Sequence, residues 1–166
     1  EEQERADIAE GIRLQTVVTG SRPLGWYTGR FSANTKRLLS EEGGFLYFAD
    51  SYADDLPYWE RVNGKPELIV PYTLDNNDMR FAIAQGFNTG EDFARYLIDA
   101  FDVLYREGVE GRPKMMSVGL HNRLVGRAGR FAGLIRFLDH VQRHDRVWLC
   151  RRVEIARHWR ATHPAT

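Results

Sequence analysis

Cysteine is nearly missing: Cys150 is the one example in 166 residues. An internal disulfide and a cysteine-built zinc cage are therefore excluded. Such usage fits a reducing compartment, and a cytoplasmic location is expected. Long apolar runs are missing too, none approaching the roughly 18 residues of a membrane-spanning helix. The acidic start Glu1-Glu2-Gln3-Glu4-Arg5 has no signal-peptide character. Charge of one sign is also lacking. Lys+Arg and Asp+Glu are both 23, for a formal net charge of zero. Without a basic footprint, neither nucleic acid nor a membrane surface is expected as a partner. There is no Gly-x-Ser-x-Gly elbow, phosphate loop or dinucleotide fingerprint. Repeats, low-complexity tracts and linkers are absent as well. What is present is an ordinary globular composition, 43% hydrophobic and 28% charged, at a length that suits one domain or part of a larger one.

The order of elements is informative. Residues 2–18 read as a helix, with Ile8 and Ile12 on one face. Thr19 to Pro23 is a break. Leu24 to Thr28 reads as a short strand, Ser32 to Glu42 as a helix stopped by Gly43-Gly44, and Phe45 to Phe48 as a strand. Residues 49–65 read as a loop, Glu67 to Tyr72 as a strand, and 73–88 as a second long loop. Thr89-Gly90-Glu91-Asp92 is a capping box. It opens a helix with Phe93, Leu97, Phe101, Leu104 and Tyr105 on one face. Lys114 to His121 and Val147 to Cys150 read as buried strands. Gly126 to Arg143 reads as a helix with an apolar stripe of Phe131, Leu134, Ile135, Leu138 and Val141, and Val153 to Arg160 as a final helix. Helices alternating with short apolar strands favour a parallel α/β architecture.

In such folds ligands meet the loops at the carboxyl ends of strands. Those positions hold Thr28, Gly29 and Arg30; then Asp50, Tyr52, Asp54 and Asp55; then Tyr72, Asp75, Asn77 and Asp78; then His121, Asn122 and Arg123. His121 directly follows an apolar run, so it is expected to be half-buried and held in place. An imidazole there could protonate a leaving nitrogen or polarise a carbonyl; the alternative is a structural histidine bonded to a neighbouring carbonyl. The Asp54-Asp55 and Asp75/Asp78 groups could orient water, bind substrate N–H groups or hold a metal, or could be solvated loop residues. Arg30, Arg123, Arg127 and Arg130 could clamp a carboxylate or imide oxygen, or form local ion pairs. Trp26, Tyr27, Tyr52, Tyr58, Trp59 and Tyr72 would suit a planar or sugar-like ligand, or ordinary core packing. His140 and His144 have metal-pair spacing on one helix face. No third ligand stands near them in sequence, and no metal site is expected in this chain. Cys150 is expected to be a small buried hydrophobe inside a strand.

These residues carry a resemblance. Arg22-Pro23-Leu24-Gly25-Trp26-Tyr27-Thr28-Gly29-Arg30, Gly43 to Tyr47, Asp54-Asp55-Leu56-Pro57-Tyr58-Trp59, and Met116 to His121 with Gly126-Arg127 resemble blocks of the polysaccharide deacetylase (NodB homology) superfamily. Adding Pro71 to Asp75, Asn77-Asp78-Met79-Arg80-Phe81 and Leu124 makes the chain similar to the branch of uricase-linked allantoinases of the PuuE type. The resemblance runs over nearly the whole chain. It implies the C-terminal half of a distorted (β/α)7 barrel, with residues 1–166 as one partial domain and the first helix as a mid-barrel helix. The superfamily's early Asp and His motifs, which carry a divalent metal in the deacetylases, have no counterpart here. The missing N-terminal half of the barrel is expected as a partner, and the chain alone is expected to be inactive.

The resemblance further implies hydrolysis of a carbon–nitrogen bond, with an allantoin-like cyclic ureide as substrate and a homo-oligomeric enzyme. His121 would take the acid or oxyanion role. Trp26, Tyr27, Arg30, Asp54, Asp55, Trp59, Asp78 and Arg123 would lie in or near the substrate pocket. Two alternatives stay open: a metal-dependent deacetylase of N-acetylated sugars, and a non-catalytic half-barrel acting as an interaction module.

Overall fold

Short parallel strands, one hairpin and amphipathic helices make up the computed structural model, which describes residues 1–165. They form two compact units. The first comprises Glu1–Pro71 and the chain from Cys150 onward, and the second is Tyr72–Leu149.

The first unit opens with α1 (Glu2–Thr19), whose Ile8 and Ile12 are buried and which ends at Gly20 in the left-handed conformation. Then come β1 (Gly25–Trp26), α2 (Thr35–Glu42), β2 (Tyr47–Phe48), β3 (Tyr58–Val62) and β4 (Lys65–Ile69). The sheet order is β1-β2-β4-β3. The first three strands in that order are mutually parallel, as the alternation of elements predicts, while β3 runs antiparallel to β4. Ile8, Ile12, Leu38, Leu39, Phe45, Phe48 and Ile69 form the core, with Trp26 and Tyr58 packed against it. The returning helix, Arg152–Thr162, is tied to the strand backbones. Arg152 donates to the Val70 carbonyl at 2.9 Å and Arg160 to the Leu46 carbonyl at 2.9 Å.

The hairpin corrects the expected loop over 49–65. Val62 pairs with Lys65, so Asn63-Gly64 is a two-residue turn, and both have positive φ, 49° and 74°. An Asn-Gly pair adopts that conformation cheaply and matches the twist of the flanking strands. The sequence thus carried a hairpin signal that the acidic residues before it obscured.

In the second unit a 3₁₀ turn (Asp78–Ala82) interrupts what reads as a plain loop. It is followed by α3 (Gly90–Val109), α4 (Asn122–Val125) and α5 (Ala128–Val141). The capping box at Thr89 and Asp92 forms as expected. Phe87, Phe93, Leu97, Phe101, Val125, Leu134 and Phe137 form this unit's core. Helices α3 and α5 come together at Gly90 and Gly133, where an added Cβ on either would strike the other's backbone. The expected stripe on α5 is only partly buried: Leu134 is inside, whereas Phe131, Ile135 and Leu138 are exposed. Its packed side runs instead through Gly133, Leu134 and Phe137.

Two expected strands are not formed. Over 114–121 only Gly119 pairs, through a parallel bridge to Asn77, and 147–150 has no ladder. An apolar run becomes a strand only where a neighbour takes up its backbone hydrogen bonds. Cys150 is accordingly half-buried in a connecting segment rather than inside a strand. Desolvation, and then the charge of Glu154, push its thiol up, away from thiolate character.

Candidate functional site

The second unit brings His121 and Asp78 together from 43 residues apart. Their meeting is arranged by the backbone. The Asp78 N–H donates to the Gly119 carbonyl at 2.9 Å, and the Gly119 N–H donates to the Asn76 carbonyl at 2.8 Å. Gly119 is required there for space: a Cβ would collide with the Asn77 amide and the Tyr72 hydroxyl. Asn77 is itself completely buried. Its Nδ2 donates to the Tyr72 hydroxyl at 3.2 Å and its Oδ1 accepts the Met79 N–H at 2.9 Å, which starts the 3₁₀ turn.

The Asp78 side chain has no solvent exposure, while that of His121 retains 25%. Asp78 Oδ2 accepts the His121 N–H at 2.7 Å and the Val125 N–H at 3.0 Å. Its Oδ1 lies 2.6 Å from His121 Nδ1. An ionised carboxylate is an acceptor only, so beside the Asp78 carboxylate Nδ1 is the donor in this contact. The neutral ring then carries its lone pair on Nε2. Asp78 thereby fixes the ring's orientation and tautomer, the arrangement a buried carboxylate has in a His–Asp pair. Asp78, expected in or near the substrate pocket, is thus sealed from solvent with both oxygens committed to the His121 segment. Arg123, two residues after His121, is exposed.

In the first unit, Asp50 organises the segment after β1. It follows β2, the parallel neighbour of β1, and its two oxygens accept the Thr28 and Gly29 N–H groups at 2.8 Å each. Sequence reasoning placed Asp50 at a strand end but assigned it nothing. The signal was its position two residues beyond the strand that pairs with β1. Tyr27 and Arg30 on the tethered segment are exposed, and the Tyr27 and Tyr52 hydroxyls lie 3.2 Å apart. Trp26 is a core partner, edge-on to Phe45 at 5.7 Å, and its indole N–H donates to Thr28 at 2.7 Å. Trp59 donates to the His163 carbonyl at 2.7 Å and lies under Arg160. Both tryptophans are thus occupied structurally. Asp54 and Asp55 are exposed, and Asp54 Oδ1 caps its own turn by accepting the Asp55 and Leu56 N–H groups.

Metal-ligand chemistry clusters elsewhere in the second unit. Asp102 of α3 joins His140 and His144, each offering one ligand atom within 4.8 Å of the others. The third ligand missing near the histidine pair in sequence is supplied by the helix packed against it. The cluster is outside the hydrogen-bond network of His121.

No established family profile matches the chain. Solved structures do. PuuE allantoinase superposes with a TM-score of 0.96 at 62% identity, over 100% of this chain and 55% of that one. A structure from Pseudomonas aeruginosa PAO1, named provisionally as a polysaccharide deacetylase, gives 0.95 at 58% identity over 99% of this chain and 55% of its own. A Schizosaccharomyces pombe (strain 972) protein with the same provisional name is 47% identical over 160 residues, covering 88% of this chain and 50% of its own.

The chain is similar to proteins of the polysaccharide deacetylase family.

It spans about half the length of the relatives it matches. Over the half it covers, the chain shares the mixed α/β fold of those structures. Among the described residues no helix is long and apolar enough to cross a membrane. The divalent metal expected of the wider superfamily does not fit the residues around His121. Asp78, the carboxylate in contact with it, is spent on two amides and the imidazole, and no cluster of three or more metal-ligating groups includes His121 among the described residues.

Proposed function

We propose that this chain supplies the acid-bearing half of a hydrolase that opens a cyclic ureide, converting allantoin to allantoate. The observation that carries the reading is the buried Asp78 holding His121 by Nδ1, in a chain 62% identical to PuuE allantoinase. Ring opening joins a water oxygen to a ring carbonyl carbon and breaks the carbon–nitrogen bond, and the departing nitrogen must gain a proton. His121 Nε2, bare in the neutral ring, takes a proton from the water as it adds and passes it to the departing nitrogen while Asp78 holds the ring by Nδ1, a contribution of about 10²–10⁴ in rate. Arg123 is assigned to a substrate carbonyl oxygen, whose charge grows as water adds. Tyr27 and Arg30 are assigned to substrate contact. Asp54 and Asp55 keep only the weaker assignment of polar loop residues. Self-association and a cytoplasmic location belong to the same proposal.

A second reading has support in the names of the Pseudomonas and fission-yeast relatives, which point to deacetylation of a polysaccharide. The same histidine would then protonate an amine leaving from an acetamide.

The test replaces the matching segment of PuuE allantoinase with this chain. The chimera is assayed with allantoin and with N-acetylated sugar oligomers. Allantoate production that falls about 10²–10⁴-fold in H121A supports the first reading. A folded chimera that ignores allantoin, or that deacetylates the sugar instead, rejects it.

A further inference from the structure

We propose that Asp102, His140 and His144 form a binding site for one divalent transition-metal ion, with zinc the expected occupant and cobalt or nickel able to replace it. The site is separate from the His121–Asp78 pair and independent of the activity proposed above. Four observations point to it. The three ligand atoms already lie within 4.8 Å of one another. His140 Nε2 is 2.7 Å from Asp102 Oδ1. In tetrahedral zinc coordination, bonds of 2.0–2.1 Å put neighbouring ligand atoms about 3.3 Å apart, so that contact has to open by only about 0.6 Å. Asp102 is 48% exposed at its side chain and has room to move.

Second, His144 is already held in the manner of a ligand. Its Nδ1 donates to the His140 carbonyl at 3.0 Å. A metal-bound histidine characteristically commits its other ring nitrogen to a carbonyl or carboxylate, which sets the tautomer and the plane of the ring. Third, aromatic packing holds both rings. Phe101 is edge-on to His140 at 5.8 Å and to His144 at 5.0 Å, and Tyr105 is edge-on to His144 at 4.7 Å. Fourth, the histidines lie at the carboxyl end of α5, where the helix dipole favours positive charge.

The donor set decides the class of ion. Two imidazoles and one carboxylate suit zinc, nickel, cobalt or copper, whereas magnesium and calcium seek all-oxygen shells. Three protein ligands leave a fourth position for water or an incoming ligand.

The experiment uses the 166-residue chain, stripped with chelator and titrated calorimetrically with Zn²⁺. Cobalt absorption then reports the geometry. One equivalent is expected to bind. H140A and H144A should each weaken affinity by at least about tenfold, and H163A should leave it unchanged. Histidine-ring NMR of the unmutated chain with added Co²⁺ removes any dependence on variant folding: the His140 and His144 resonances should shift first. Absence of binding, equal affinity in an H140A/H144A double variant, or shifts confined to His121, His158 or His163 would overturn the proposal.

Discussion

Among the carboxylates that each accept a pair of backbone N–H groups, Asp50, Asp92 and Asp78 invite comparison, and only one of these three is sealed from water. Asp50 takes Thr28 and Gly29; Asp92 takes Asn88 and Thr89 at the start of α3; Asp78 takes His121 and Val125. Asp50 is half-buried and Asp92 exposed, so water can reach them and replace any bond they lose. Asp78 is fully buried and has a third group to satisfy, the imidazole. The contrast shows how one local motif serves two ends. At the surface it tethers a loop or caps a helix. In the interior it fixes a side chain in one tautomer and makes any defect expensive.

The largest expected effect is at Asp78. Asp78→Ala strands two amides and the imidazole, each worth about 1–3 kcal/mol when left unpaired; urea unfolding should register at least about 3 kcal/mol. Asp78→Asn keeps the shape but loses the charge. In the allantoinase chimera it should lower kcat by about 10²–10⁴ with a smaller change in KM. Gly119→Ala attacks the same centre from the backbone, by driving a methyl into Asn77 and Tyr72. About 1–3 kcal/mol of destabilisation is expected by thermal unfolding. Asp50→Ala should cost about 1 kcal/mol, and limited proteolysis should show faster cleavage near Arg30. An Asp50 effect as large as that of Asp78 would break the comparison.

Asp92 gives the smallest effect and sharpens the contrast through pH. Bonds from the Thr89 backbone and side chain, and then from the Asn88 backbone, hold its carboxyl below the usual 3.8. A group with a lowered folded pKa contributes stability that is present above the unfolded value and lost as pH falls through the folded one. Unfolding followed from pH 6 to pH 2 should therefore show a loss below about pH 4 that is reduced in Asp92→Asn.

The sequence showed some of this plainly. Helix α3 was legible because Thr89, Asp92, Phe93, Leu97 and Phe101 are local signals that agree. His121 was legible because it follows an apolar run at a place where such folds position polar groups. The partnership of His121 with Asp78 was not, since nothing local marks a contact across 43 residues. Asp102 was hidden for the same reason, 38 residues from His140. The strands expected over 114–121 and 147–150 failed because hydrophobicity says that a segment is apolar, not that a neighbour exists to pair with it. The hairpin at Asn63-Gly64 is marked locally by that pair, within a segment whose acidic residues read as loop.

The account turns on the state of the His121 ring. Its two nitrogens can be read directly by ¹⁵N NMR of the histidine side chains, assigned by comparison with H121A, at a pH where the ring is neutral. The account predicts a protonated Nδ1 and a bare Nε2, with that preference lost in Asp78→Asn. A protonated Nε2, or a ring averaging between tautomers and indifferent to Asp78→Asn, would contradict it.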